Sequence, residues 1–229
     1  MTFFRHCALA TASTLLLAGA AGQAGAAPLN TSFGGNPFAD TTLSGTTVAA
    51  RPELAGTVLS DVLTPFTLGS VSGEVQNRVV RETASGTLDF YWRVILDPTS
   101  TAGGITALRV ADFGYASITD ADYRIDGLGS DAVATARLFN PVGRPSGDIN
   151  FLFASPLPAT DSSNFFFLHT DATNYAMSAI YDMIGPGDQI TTTFSTFAPA
   201  AAVPEPAPAA LLAMGMAALA WRRRAAARR

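Results

Sequence analysis

Residues 87–96, TLDFYWRVIL, are the clearest strand signal in the chain. Every second position is apolar, at Leu88, Phe90, Trp92, Val94 and Leu96. The other positions hold Thr87, Asp89, Tyr91 and Arg93, with Ile95 as the exception. Alternation with a period of two is typical of a β-strand with one buried face. We therefore predict a half-buried strand, with Trp92 in the core and with Asp89 and Arg93 facing solvent.

Shorter segments of the same kind lie on both sides of this stretch. Glycine and proline interrupt residues 27–200 about every ten residues, which is the spacing of an all-β sandwich or barrel. The other predicted strands are 56–63, 71–79, 105–113, 116–125, 132–139, 149–153, 164–169, 175–181 and 189–197. The dense apolar run at 164–169 predicts a central strand covered on both faces. Residues 27–47 are predicted to be a loose arm or an edge strand.

This pattern predicts one all-β domain over residues 27–197, since no segment of the body has an apolar period of 3.6 residues. Two antiparallel sheets must then cover each other's apolar faces, which gives a two-sheet β-sandwich. We prefer a jelly-roll-like topology, and an immunoglobulin-like Greek key fits the same pattern. An Ala/Pro linker is predicted at 198–203.

The first 26 residues have the three parts of a secretory signal peptide. Arg5 supplies the positive region, residues 8–21 the small apolar region, and Ala24 and Ala26 an A-x-A site that leaves Ala27 as the first mature residue. The single cysteine, Cys7, lies in the removed segment. The mature body is therefore predicted to fold without disulfides.

The C-terminus, residues 204–229, has three parts in a fixed order. Pro204, Glu205 and Pro206 come first, an apolar run to Trp221 follows, and the arginines Arg222, Arg223, Arg224, Arg228 and Arg229 end the chain. The run from Ala209 to Trp221 is about 20 Å long as a helix. It is therefore short against a hydrocarbon core of about 30 Å, and we predict a marginal transmembrane helix with cytoplasmic arginines.

This ordered combination resembles the PEP-CTERM sorting signal. The resemblance implies recognition by an exosortase, a membrane-embedded transpeptidase of Gram-negative bacteria, after transient insertion in the inner membrane. Pro204, Glu205 and Pro206 correspond to the recognised motif, and Arg222, Arg223 and Arg224 to the stop signal. Cleavage and export to the cell surface or the exopolysaccharide matrix are implied. The alternative is a single-pass anchor that is never cut.

Loss of both ends makes the chain strongly acidic. Without Arg5 and the five C-terminal arginines, 8 of the 14 arginines remain, whereas only Glu205 is lost from the 18 acidic residues. The body then carries 17 acids and a formal charge of about −9 with neutral histidines. Such a body repels phosphate backbones, so nucleic-acid binding is not expected.

Candidate catalytic residues are few. His169 lies beside Asp171 in the sequence, as a base and its carboxylate partner would in a nucleophilic site, but no G-x-S-x-G motif accompanies them. We therefore interpret His169 as structural, and zinc is disfavoured because zinc sites use several His or Cys ligands. Among 17 acids some carboxyl pair at glycosidase spacing is inevitable, so a hydrolase stays a second alternative.

Asp120, Asp122 and Asp126, with Asp131 beyond, form a weak calcium candidate, because calcium prefers oxygen ligands. Arg124 stands where an EF-hand-like loop needs another oxygen donor, and Asp-rich turns are ordinary loop chemistry. Exposed tyrosines at 91, 115, 123, 175 and 181 are candidates for a sugar-binding platform.

From these features we predict an exported, non-enzymatic protein of the cell surface or exopolysaccharide layer, with no cofactor. A carbohydrate-binding module with the same destination is the first alternative.

Overall fold

The computed structural model of the protein describes residues 27–100, 104–114, 117–140 and 149–201, and residue 216. The predicted signal peptide at 1–26 lies outside the described residues. The same holds for the predicted C-terminal helix, apart from residue 216. Within the described ranges, no helix has the length and apolar character needed to cross a membrane.

Twelve strands make up nearly all of the regular structure in the described residues. They are β1 (Ala27–Pro28), β2 (Phe38–Thr42), β3 (Gly56–Leu68), β4 (Val71–Glu82), β5 (Leu88–Leu96), β6 (Ile105–Ala111), β7 (Ile118–Tyr123), β8 (Val133–Phe139), β9 (Ile149–Leu157), β10 (Phe166–Thr170), β11 (Tyr175–Ile184) and β12 (Phe194–Pro199). Short 3₁₀ turns lie at Pro52–Leu54 and Pro186–Asp188.

The strands form two six-stranded sheets in which neighbours pair antiparallel. Sheet A has the order β1-β7-β10-β5-β4-β3, and sheet B has the order β12-β11-β6-β9-β8-β2. The hairpins β3-β4-β5 form a meander in sheet A, after which the chain crosses between the sheets, with the paired strands β8-β9 and β11-β12 both in sheet B. The prediction of an all-β sandwich with two antiparallel sheets is confirmed, and the jelly-roll-like topology stays a prediction.

The core lies between the sheets and is rich in aromatic rings. Trp92 of sheet A is 1% exposed and lies 6.0 Å, centroid to centroid, from Phe151 of sheet B. Phe166 lies 4.7 Å from Phe151 and 6.4 Å from Trp92. Each large side chain buried in this way contributes about 1.5–3 kcal/mol of hydrophobic free energy. The predicted core position of Trp92 is therefore confirmed.

Some predicted details were wrong or incomplete. Residues 27–47 supply two edge strands, β1 beside β7 in sheet A and β2 beside β8 in sheet B. The strand predicted at 56–63 continues to Leu68, because it pairs along nearly the whole of β4. Ala198 and Pro199, predicted to begin the linker, are the last residues of β12, and Ala198 is fully buried.

β5 is not half-buried as predicted, because its N-terminal half is covered on both faces. Asp89 is fully buried and Tyr91 is 3% exposed, although both were predicted to face solvent. The cover is residues 44–55, which we call the cover segment. Its Leu54 packs in a small second core with Val80, Tyr91, Phe165 and Phe167 on the outer face of sheet A. The sandwich thus has a third layer at this position.

Candidate functional site

A cluster of polar side chains lies on the outer face of sheet A, where β4, β5 and β10 meet. Glu82 ends β4, Asp89 is the second residue of β5, and His169 is the penultimate residue of β10. Antiparallel pairing places His169 directly opposite Asp89, so their side chains lie side by side on one face. A register shift between His169 and Thr170 interrupts the pairing of β10 with β7. Such irregularities redirect side chains at the end of a ladder.

The two carboxylates converge on one imidazole nitrogen. Nδ1 of His169 lies 2.7 Å from Oδ1 of Asp89 and 3.0 Å from Oε1 of Glu82. The second oxygen of each carboxylate has its own donors. Oε2 of Glu82 accepts hydrogen bonds from the hydroxyls of Ser85 and, at 2.9 Å, Thr87. The Tyr91 hydroxyl donates to Oδ2 of Asp89 at 3.4 Å.

Burial and charge act in opposite directions on this cluster. Glu82 is 3% exposed and Asp89 is fully buried. Burial raises the pKa of Asp89, and the hydrogen bond from His169 opposes that rise. For His169, burial alone lowers the pKa, but the hydrogen bond to Asp89 and the charges of Asp89, Asp120 and Glu82 raise it overall. The carboxylates therefore favour a cation at this position.

An ion pair from the cover segment lies beside the cluster. The guanidinium of Arg51 binds both oxygens of Asp120, at 2.8 and 3.1 Å, and its Nε donates to Glu53 at 2.8 Å. Arg51 is 3% exposed, and its guanidinium lies 5.7 Å from the ring centroid of Phe167. Because Asp120 pairs with His169 across the sheet, the ion pair and the imidazole are neighbours.

The cluster contains more negative than positive groups. Glu53, Glu82, Asp89 and Asp120 lie around two cationic groups of the described residues, Arg51 and, when protonated, His169. One ligand atom each from Glu82, Asp89 and His169 lies within 4.8 Å of the others, so these three side chains could hold a metal ion. Among the described residues, no other group of His, Cys, Asp and Glu meets this criterion.

The structure gives the three aspartates of the calcium candidate another role. Asp120 binds Arg51, Asp122 accepts a hydrogen bond from the Gly45 amide at 2.8 Å, and Asp126 accepts one from the Val48 amide at 2.7 Å. Asp122 also accepts from the Tyr123 amide, and Asp126 from Arg124. These carboxylates therefore fix the cover segment to sheet A.

The other sequence candidates also differ from expectation. Asp171 is exposed and lies beyond the end of β10, and the carboxylates beside His169 are those of Asp89 and Glu82 instead. Tyr91 and Tyr181 are buried, so they cannot form a sugar platform, whereas Tyr123 and Tyr175 are partly exposed. Position 115 lies outside the described residues. The hydroxyl of Tyr175 bonds Ser60 at 2.8 Å.

Sequence reasoning missed Glu82, Asp89 and Arg51 as members of one cluster. The available signal was that Asp89 stands between Leu88 and Phe90 in a strand, next to a second aromatic at Tyr91. A carboxylate in such apolar surroundings needs a partner if its outer face is covered. Alternation alone does not show whether a face is covered.

The fold and this cluster define an acidic β-sandwich with a buried carboxylate–histidine group. Its C-terminus adds a sorting signal, since residues 202–224 match the PEP-CTERM protein-sorting motif. The resemblance inferred from Pro204, Glu205 and Pro206 is therefore confirmed, and the motif is that of an exported, exosortase-sorted protein. Comparisons with curated proteins and with solved structures gave no match.

Proposed function

We propose that exosortase cuts this protein near residues 204–206 after a transient stay in the inner membrane. The released sandwich is then a non-enzymatic component of the cell surface or exopolysaccharide layer. Export places it outside a Gram-negative cell, where its acidic, cysteine-free body must be stable without disulfides.

The observation that carries this proposal is the position of the last strand. β12 is an edge strand of sheet B and ends at Pro199, and the Ala200 amide closes the ladder with a hydrogen bond to the Asn174 carbonyl at 2.9 Å. The matched sorting motif begins at residue 202. Cleavage within the motif therefore breaks no strand pairing among the described residues.

A specific feature supports the alternative that the sandwich binds a polysaccharide. A hollow of about 330 Å³ on the outer face of sheet A is lined by Arg78, Arg124, Asp126 and Phe165, among others. The guanidinium of Arg78 lies 4.5 Å from the Phe165 ring centroid. Guanidinium groups beside an aromatic ring suit an acidic sugar, because they supply both hydrogen-bond donors and a stacking surface.

Mass spectrometry of the native protein from its host tests the sorting step. We expect a C-terminus near residues 204–206 in the wild-type host, and an intact tail in a strain without exosortase. Deletion of residues 222–229 should also leave the precursor misprocessed, because the arginines fix its orientation. Identical C-termini in all three strains would contradict the proposal.

A sedimentation assay with the host's exopolysaccharide distinguishes a non-enzymatic structural role from a carbohydrate-binding module and from a secreted hydrolase. Binding that Arg78→Met abolishes, while Arg137→Met on sheet B does not, favours the carbohydrate-binding module. Release of reducing ends from the polysaccharide would instead favour the secreted hydrolase. Retention in the matrix fraction without either effect supports the non-enzymatic structural role.

A further inference from the structure

We propose that Glu82, Asp89 and His169 bind a divalent transition-metal cation such as Zn²⁺ on the outer face of sheet A. The imidazole Nδ1, Oδ1 of Asp89 and Oε1 of Glu82 are the ligand atoms. This site is independent of the sorting signal and of the proposed function.

The distances between these atoms fit one coordination shell. Metal–ligand bonds of about 2.0–2.2 Å at the tetrahedral angles typical of zinc place two ligands about 3.4 Å apart. The observed separations are 2.7 Å between Nδ1 and Asp89 and 3.0 Å between Nδ1 and Glu82. A tetrahedral cation would therefore require the imidazole and the two carboxylates to move apart by about half an ångström.

The carboxylate of Glu82 provides an independent indication of a missing ligand. Its side chain is 1% exposed, yet its Oε1 has no hydrogen-bond partner of acceptable geometry, although it faces the imidazole. A buried carboxylate oxygen without a donor costs free energy unless a cation compensates it. Its other oxygen is fixed by Ser85 and Thr87, so Oε1 is held in its direction toward His169.

The supporting hydrogen bonds resemble those around metal ligands in general, where outer groups fix the orientation of each ligand. Glu82 is held by two hydroxyls and Asp89 by the hydroxyl of Tyr91. The surplus of carboxylates over cations in the cluster also attracts a positive ion. The imidazole is 18% exposed, so an ion and water ligands can reach the site from solvent.

The donor set indicates which cation binds. One imidazole nitrogen with two carboxylate oxygens suits first-row cations such as Zn²⁺ and Mn²⁺, whereas calcium prefers oxygen ligands alone. The sequence-based expectation against zinc counted only His and Cys ligands, whereas Asp and Glu oxygens also bind zinc. The ion would join β4, β5 and β10, which are three strands of one sheet. It would thereby supply an extracytoplasmic protein without structural cysteines with a cross-link of another kind.

The test is titration of the full-length protein, purified in mild detergent without a histidine tag and stripped with a chelator. We expect calorimetry to show one equivalent of Zn²⁺ per chain, and Co²⁺ to give a visible absorption band. Loss of an outer supporting group typically weakens metal binding 10–100-fold. Loss of a ligand in Glu82→Gln, Asp89→Asn or His169→Gln should therefore weaken it by at least about 100-fold.

Asp182→Asn on sheet B is the matched control, because Asp182 pairs with Arg109 far from this cluster in the fold and should leave zinc binding unchanged. Circular dichroism establishes that each variant is folded. If Asp89→Asn does not fold, Glu82→Gln and Ser85→Ala test the proposal instead. Ser85→Ala removes a hydroxyl that orients the Glu82 carboxylate and should weaken zinc binding about 10–100-fold. The proposal is overturned if the wild type binds none of Zn²⁺, Co²⁺ and Mn²⁺, or if folded ligand variants bind as tightly as wild type.

Discussion

At the scale of single residues, a buried chain of hydrogen bonds connects the two sheets. The indole Nε1 of Trp92 donates to Oγ1 of Thr196 at 2.9 Å, and that hydroxyl donates to Oδ1 of Asn77 at 2.8 Å. All three residues are at most 2% exposed. Trp92 and Asn77 belong to sheet A and Thr196 to sheet B, so this one hydroxyl of sheet B satisfies two buried polar atoms of sheet A.

Replacement of this hydroxyl should destabilise the fold more than its size suggests. Thr196→Val keeps the shape of the side chain but leaves the indole N–H and the Asn77 oxygen without their partner. We expect a loss of about 1–3 kcal/mol in the free energy of unfolding, measured by urea denaturation with Trp92 fluorescence. Thr192→Val, the same change at an exposed position, should have little effect. Equal stability of the two variants would contradict this account of the hydrogen-bond chain.

Some single residues could be placed from the sequence and others could not. The core position of Trp92 follows from the alternation of 87–96, because period two is a local property of the backbone. Asp89 was predicted in solvent because alternation places it outward, and it does point outward. Its burial results from the cover segment, which is about forty residues earlier in the sequence.

At the scale of elements, the cover segment is held by carboxylates of the β7 region. Asp126 accepts hydrogen bonds from the Val48 amide at 2.7 Å and from Arg124 at 2.6 Å. Burial alone would raise the pKa of Asp126, but these donors and the charge of Arg124 lower it overall. A lowered pKa in the folded state means that the ionised carboxylate stabilises the fold.

Acid should therefore weaken this attachment. The stabilisation by Asp126 is complete above the ordinary aspartate pKa of about 4 and is lost as the pH falls through the lower, folded-state pKa. We expect wild type to be more stable than Asp126→Asn at neutral pH, and the difference to shrink in acid. Urea denaturation over a pH series measures it. Asp188→Asn, in an exposed turn, controls for the change in net charge. If the stability difference between wild type and Asp126→Asn did not change with pH, the ionised Asp126 carboxylate would not be what holds the cover segment.

The strands themselves were largely predictable, whereas the cover segment was not. Ten of the described strands coincide with predicted segments, because each carries its own periodicity or apolar run. β1 and β2 have two and five residues, too few for a pattern to emerge from a Thr-, Ser- and Gly-rich region. The cover segment has no periodicity, and its place depends on distant partners such as Asp120 and Asp126.

At the scale of the whole molecule, all twelve strands among the described residues come before the sorting signal. The core contains side chains of both sheets, up to Phe197 and Ala198 of β12. Ala198 and Pro199 pair with Ala176 and Tyr175 of β11. The sequence predicted this division between body and tail, because composition changes sharply there. It placed the boundary slightly too early, since an Ala/Pro pair looks like a linker when its strand partner is unknown.

C-terminal truncations should show where the folded sandwich ends, and therefore where exosortase can cut without unfolding it. A chain that ends at residue 201 keeps all of β12, so its free energy of unfolding should equal that of the full chain without its signal peptide. A chain that ends at Thr196 loses Phe197, whose ring lies 5.5 Å from that of Tyr175, together with buried Ala198. Removal of a buried phenylalanine side chain costs about 3–5 kcal/mol, and we expect a loss of at least that order.

Urea denaturation of both truncated chains and of the full chain without its signal peptide, followed by far-ultraviolet circular dichroism, provides the measurement, since Trp221 would add its own fluorescence in the full chain. If the chain ending at 201 were much less stable than the longer one, the tail would be part of the globule. Release by exosortase would then unfold the exported protein. If the chain ending at 196 were as stable as the longer chains, β12 would not be needed for the core. A stable chain at 201 and an unstable one at 196 would together show that a cut must fall beyond Pro199, where the PEP-CTERM motif lies.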